Sequence, residues 1–171
     1  MKEILWLGRG GQGAFTAAKL FGAAYTAQDD AHFALSFPSF GPERRGAPVR
    51  AFTKLDEKPV LDRSQTELAD FIAVLDGTLY TPALQAQLKP GGRIIVNSKA
   101  PIPDTFTFDG EAVAAEFHLP TVNTVMLGIV SALSGYITAE QAAGAIADYM
   151  PEKLRARNIG AVKLAGEAVQ K

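Results

Sequence analysis

Hydrophobic and polar positions along the chain alternate between two periods, and each period marks an element. Ile4-Leu5-Trp6-Leu7 is continuous apolar sequence, the pattern of a strand covered on both faces. From Ala14 to about Ala27 the period lengthens. Phe15, Ala18, Gly22 and Tyr25 recur at helical spacing and predict one face turned toward a sheet, with Asp29-Asp30 closing the helix. His32 to Phe37 reads as a second strand. Ala47 to Leu55 alternates, Val49, Ala51 and Thr53 against Arg50, Phe52 and Lys54, which predicts a strand near an edge of the sheet. Ala69 to Leu75 is another buried apolar run, ending at Asp76-Gly77.

The second half is richer in helix signals. A short helix is expected from Tyr80 to Leu88, stopped by Lys89-Pro90-Gly91-Gly92, then a strand from Arg93 to Asn97. Pro101 to Asp109 reads as loop and edge, and Ala112 to Phe117 fits strand or helix. A helix opens in Thr121–Gly128 with Asn123 or Thr124 as its cap and Val125, Met126, Ile129, Val130 and Leu133 as its apolar face. Thr138-Ala139-Glu140-Gln141 is a capping box starting a helix to Met150, which Pro151 ends. Asn158 then caps a last helix with Ile159, Val162, Ala165 and Val169 on one side. Strands alternating with helices predict an α/β, Rossmann-like fold: a mostly parallel sheet with helices on both faces, in a single domain over residues 1–171.

Gly8-Arg9-Gly10-Gly11-Gln12-Gly13 stands between the first strand and the first helix. Glycines let the chain turn sharply there and let backbones approach closely. Free N–H groups at a helix start attract an anion, so Gly8, Gly10, Gly11, Gln12 and Gly13 are candidate cofactor-binding residues. A dinucleotide site also needs an acid at the end of the second strand, about 20 residues further on, for the ribose hydroxyls. Asp29 and Asp30 precede that strand, and its end carries Ser36, Phe37 and Pro38. NAD binding by this chain alone therefore lacks its sugar contact. The Pro90-Gly91-Gly92 join resembles methyltransferase folds, but those place an acid before the first glycine, where Leu7 stands.

In the loop Pro38 to Pro48, Arg44 and Arg45 carry planar guanidinium groups suited to phosphate or carboxylate. A salt bridge to Glu43 or simple solvation is the plainer alternative. Phe37 and Phe40 on the same loop point to a surface covered by another chain. Asp76 either faces the ligand crevice at its strand end or makes a turn with Gly77.

Composition narrows the chemistry. A net charge of −1 argues against nucleic acid and anionic membranes as partners. With no cysteine, the chain forms no disulfide and ligates no iron–sulfur cluster through thiolate. Its two histidines, His32 and His118, lie far apart, so no zinc site is expected. No apolar run approaches the ~20 residues of a membrane span, and no secretion signal opens the chain, so a cytoplasmic protein is expected. There is no nucleophile elbow, no P-loop lysine and no partnered histidine, so no catalytic residue is assigned.

Gly8 to Gly13 together with Ser36-Phe37-Pro38-Ser39-Phe40-Gly41-Pro42-Glu43-Arg44-Arg45-Gly46-Ala47-Pro48-Val49 resembles the gamma subunit of 2-oxoacid:ferredoxin oxidoreductases of the pyruvate and ketoisovalerate type. Asn123-Thr124 with Met126-Leu127-Gly128 resembles the family's later asparagine motif, and Asn158, Ala161 and Gly166 its C-terminal helix, so the resemblance spans nearly the whole chain. It implies a cytoplasmic complex with alpha, beta and usually delta subunits. Those subunits carry thiamine diphosphate, magnesium and 4Fe–4S clusters and pass electrons to ferredoxin or onward to NAD. The resemblance further implies that Phe37 to Pro48 docks on the thiamine-bearing subunits. Arg44 or Arg45 would meet a coenzyme A phosphate or a partner carboxylate, and the glycine turn would help hold the same coenzyme; pure subunit packing is the alternative for both. A free-standing nucleotide-binding protein and a structural scaffold subunit remain the competing functions.

Overall fold

The apolar runs become strands because alternate residues of each are taken up by opposite cores. In the computed structural model, which describes residues 1–39 and 44–170, β1 (Lys2–Arg9) sends Ile4 and Trp6 to one face and Leu5 and Leu7 to the other. β4 (Ala69–Val74) and β5 (Leu88–Asn97) divide in the same way, Ala73 and Ile95 against Ile72, Val74, Ile94 and Val96. Adding β2 (Phe33–Pro38), β3 (Pro48–Asp56) and β6 (Phe106–Phe108) gives a six-stranded sheet in the order β2-β3-β1-β4-β5-β6. β1, β4, β5 and β6 pair in parallel, while β3 runs antiparallel to both β1 and β2. The sheet is mostly parallel, as expected, with one reversed strand beside β1.

The two faces are covered differently. The α-helices of the described residues, α1 (Ala14–Thr26), α2 (Gly110–Glu116), α3 (Asn123–Ser134), α4 (Ala139–Tyr149) and α5 (Glu152–Val169), all contribute to one core. The other face is closed by Leu84 of a 3-10 segment (Pro82–Gln87), by Leu79 of a 3-10 turn (Gly77–Leu79), and by Tyr80 and Ile102. Helices on both faces thus hold on the second face only in this tighter form, where an α-helix was expected from Tyr80 to Leu88. Pro82 and the short run before β5 leave room for little more than one tight turn.

Other boundaries moved for identifiable reasons. The stretch 89–92 is part of β5, its irregularity absorbed by a register shift between Ala69 and Phe71 and by Gly91 at φ +79°. Residues 110–116 are helix, capped by the Asp109 side chain accepting from the Ala112 N–H. The capping box at Thr138 and Gln141 forms as read. On α1 the buried stripe centres on Ala17, Ala18, Phe21 and Gly22, so that Phe15 and Tyr25 flank it rather than form it. α5 begins at Glu152, and Asn158 lies inside it instead of capping it. Lys54, on the side of β3 shared with Arg50 and Phe52, is fully buried: Asp62 at 2.6 Å, Glu3 at 3.5 Å and Ser64 at 3.4 Å surround its ammonium.

Candidate functional site

The glycine turn is the hub of the C-terminal edge of the sheet. Gly13 precedes α1 at φ +81°, the left-handed region that L side chains avoid, and a Cβ there would lie 2.5 Å from the Asn123 amide nitrogen. Gln12 folds back on the strand end: its Oε1 accepts from the Arg9 N–H at 2.7 Å, and its own N–H donates to the Arg9 carbonyl at 3.0 Å. Gly10 donates to the Ala47 carbonyl at 2.8 Å and accepts from the Gly46 N–H at 3.3 Å. A Cβ on Gly10 would sit 2.5 Å from the Arg44 carbonyl oxygen. The two characteristic stretches of the sequence, 8–13 and 44–47, therefore meet backbone to backbone.

This contact bears on what the turn can hold. The N–H groups of Arg9, Gly10 and Gln12 are satisfied within the chain. In a dinucleotide fold the second strand flanks the first and carries the ribose acid at its end. Here β3 takes that position, with Pro48 opposite Arg9, and residues 44–47 lie against the turn itself. The backbone of Arg44 lies against Gly10, so the close approach that Gly10 allows is used by the chain's own backbone.

Asp76, at the end of β4, makes the turn at residues 77–79 that its sequence position offered, and it also lines a cleft at the strand ends. Its Oδ1 accepts from the Thr78 N–H at 3.0 Å and the Thr78 hydroxyl at 2.6 Å, which makes the turn. Its Oδ2 accepts from Arg9 Nε and Gln12 Nε2, each at 3.2 Å, which ties that turn to the glycines. Burial works to raise this carboxyl, but the hydrogen bonds from Thr78 and Gln12 and the Arg9 charge outweigh it, holding it below the ordinary carboxylate range. Arg9 was no candidate in the sequence because it reads there as a spacer between glycines; only its position in the motif could have flagged it.

Beside Asp76 a cleft of about 330 Å³ opens between the ends of β4 and β5, lined by Gln12, Asp76, Asn97, Lys99, Asp109 and Glu111 among others. Asn97 is 7% exposed and fully engaged, donating to Leu75 O and Glu111 and accepting from the Gly110 N–H. With three carboxylates to one lysine, this cleft repels phosphate. Arg44 and Arg45 are exposed and are not among its lining residues. Phe37 belongs to β2 rather than to the loop, and its ring packs on Phe52 at 5.2 Å. Phe40 and Glu43, expected as a docking aromatic and as a salt-bridge partner, lie outside the described residues.

The asparagine motif joins this site to the helical layer. Neither Asn123 nor Thr124 caps α3, whose N-cap is Val122. Asn123 donates to the Gly13 carbonyl at 3.4 Å and accepts from the Thr121 hydroxyl at 2.8 Å. Thr124, fully buried, donates at 2.7 Å to Asn158, whose amide donates to the Leu154 carbonyl at 2.8 Å. Both side chains cross to other elements because the start of α3 is buried against the glycine turn and α5. His118 is exposed in the left-handed region at φ +53° and does not line the cleft beside Asp76. Among the described residues no group of three or more His, Asp or Glu side chains is placed to hold a metal ion, and no helix is long and apolar enough to cross a membrane.

Comparison with known proteins follows the same span. A family model described as pyruvate ferredoxin/flavodoxin oxidoreductase matches residues 3–168. The chain is 37% identical to the pyruvate synthase subunit PorC of Methanothermobacter thermautotrophicus, over all of this chain and 97% of that protein. It is 38% identical to the pyruvate/ketoisovalerate oxidoreductases common subunit gamma of Thermococcus litoralis, with the same coverage of 100% and 97%. Among solved structures, pyruvate oxidoreductase subunit PORC of Thermotoga maritima superposes with a TM-score of 0.82 at 29% identity, covering 97% of this chain and 95% of that one.

Proposed function

The chain belongs to the pyruvate ferredoxin/flavodoxin oxidoreductase family, and we propose that it is the gamma subunit of a complex that oxidatively decarboxylates a 2-oxoacid such as pyruvate and passes the electrons to ferredoxin. The observation that carries this reading is end-to-end similarity to proteins named as that subunit, 37% and 38% identical with 97% of each covered. A chain with no cysteine fits a subunit whose alpha, beta and delta partners hold the iron–sulfur clusters and thiamine diphosphate. The part assigned to this chain is docking, through the joined turns 8–13 and 44–47.

Coenzyme A contact is assigned to Arg44 and Arg45 rather than to the glycines. The exposed guanidinium groups are suited to its phosphates. Gly10 and Gln12 have spent their N–H groups on the chain itself, and the neighbouring cleft is acidic. The same internal bonding favours a second reading, in which the turn and both arginines serve packing against partner subunits alone.

Purification of the tagged chain under anaerobic conditions, with mass spectrometry and iron, sulfide and thiamine diphosphate analysis, tests the subunit reading. Large partner subunits with all three cofactors are expected; a lone colourless protein overturns it. Coenzyme A titration of the assembled complex then separates the two roles. Arg44→Ala is expected to weaken binding with assembly intact, and unchanged affinity leaves packing only.

A further inference from the structure

The guanidinium of Arg9 is held by three separate acceptors. Nε donates to Asp76 at 3.2 Å, Nη2 to the Thr78 hydroxyl at 2.8 Å and Nη1 to the Gly46 carbonyl at 3.0 Å. The first two lie at the end of β4; the third lies in the turn that carries Arg44 and Arg45. Arg44, Arg45 and Gly46 are exposed, Gly46 sits at φ +84°, and among the described residues the other hydrogen bonds from this turn to the glycine turn are two backbone bonds at Gly10. Exposed turns with few buried contacts open easily.

We propose that Arg9 is a positioning residue that clamps the turn 44–47 onto the glycine turn, so that the edge used for docking is already formed before a partner arrives. The proposal rests on the docking reading above. A planar fork with donors at fixed angles on three separate nitrogens suits the task; a lysine has its three donors on a single nitrogen and lacks that fixed spread. Asp76 is the anchor, because its carboxylate is fixed by Thr78 and Gln12 independently of the turn. If the turn is formed only part of the time, apparent partner affinity falls by the formed fraction.

The test uses the full chain with Arg9→Gln and Arg9→Lys. Amide hydrogen exchange at Gly46 and Ala47 is expected to quicken in Arg9→Gln by about tenfold, and by less in Arg9→Lys, with β4 and β5 amides unchanged. Affinity for the alpha and beta subunits of the same complex should fall by the factor by which the formed fraction of the turn falls, a fraction that the exchange rates give. Unchanged exchange at Gly46 and Ala47 overturns the clamp, and so does quickened exchange throughout β4 and β5, which would mean a general loss of structure. A formed fraction that falls severalfold with unchanged affinity overturns its role in docking. Failure of the wild-type chain to bind those subunits sinks the docking reading instead, and the exchange result distinguishes that case.

Discussion

Gly128 lies where α3 crosses α5, and replacing it with alanine sets two effects of opposite sign against each other. A Cβ at that position would fall on the Val162 carbonyl oxygen, 3.1 Å from its carbonyl carbon and 3.2 Å from the Ala165 Cβ. The obstacle is helix backbone, which has no rotamer to change, so the two helices must separate at a crossing whose neighbours Leu127, Ile129 and Val162 are fully buried. Overpacking of this kind costs about 1–3 kcal/mol, and a backbone clash belongs at the upper end. Alanine gains about 1 kcal/mol in helix propensity over glycine. The net expectation is a loss of about 2 kcal/mol, or a melting temperature lower by about 4–8 °C in a chain of this length. Gly144, exposed in α4 with nothing within 4 Å of its would-be Cβ, is the matched control. Gly144→Ala should be more stable than wild type by up to about 1 kcal/mol. Thermal unfolding of both variants followed by circular dichroism decides the matter. A Gly128→Ala protein that melts at or above wild type would refute the packing argument.

Two further outcomes follow from buried polar groups. Tyr136 has its phenol pushed up to about 12, first by burial and then by the Asp70 and Tyr25 charges. A folded pKa above the unfolded value of about 10 means that its contribution to stability is complete below pH ~10 and is lost as pH rises toward 12; Tyr136→Phe should therefore flatten the alkaline fall in stability, and a phenolate titration should lose its last step. Asn158→Ala leaves the buried Thr124 hydroxyl without its acceptor and should cost about 1–3 kcal/mol in denaturant unfolding, whereas adding Thr124→Val should restore part of that loss. Strict additivity of the two changes would show that the bond contributes nothing.

The separation of charge around the glycine turn also sorts the candidate ligand contacts. Carboxylates of Asp76, Asp109 and Glu111 line the cleft, whereas Arg44 and Arg45 are exposed and do not line it. The proposed anion contact therefore falls on the loop and not on the crevice at the strand ends, where α/β folds ordinarily bind. Residue types alone placed Gly8 to Gly13 and the two arginines in one candidate set; the fold puts the glycines to work as a backbone seat for the arginine turn.

Much of this protein follows from sequence because the forces concerned act over a few residues. Continuous apolar runs such as Ile4–Leu7 and Ala69–Leu75 have to be buried on two sides, so they specify central strands whatever lies around them. The glycines ahead of Ala14 and the capping box at Thr138 mark helix starts through bonds made within one turn. The two motif stretches were legible as well, but not their meeting. The order β2-β3-β1, with β3 reversed, depends on contacts between residues some 40 to 50 positions apart, such as Leu7 with Arg50 and Trp6 with Thr53. That reversal brings residues 44–47 against Gly10. The burial of Lys54 needs Glu3, delivered from the start of β1, as well as Asp62 from the following loop, and the partners of Asn123 and Asn158 are chosen by how α3 packs. Local pattern determined which segments are strands and helices; which polar side chains are satisfied, and by whom, was decided only by packing, because each needs a partner that the chain supplies from elsewhere.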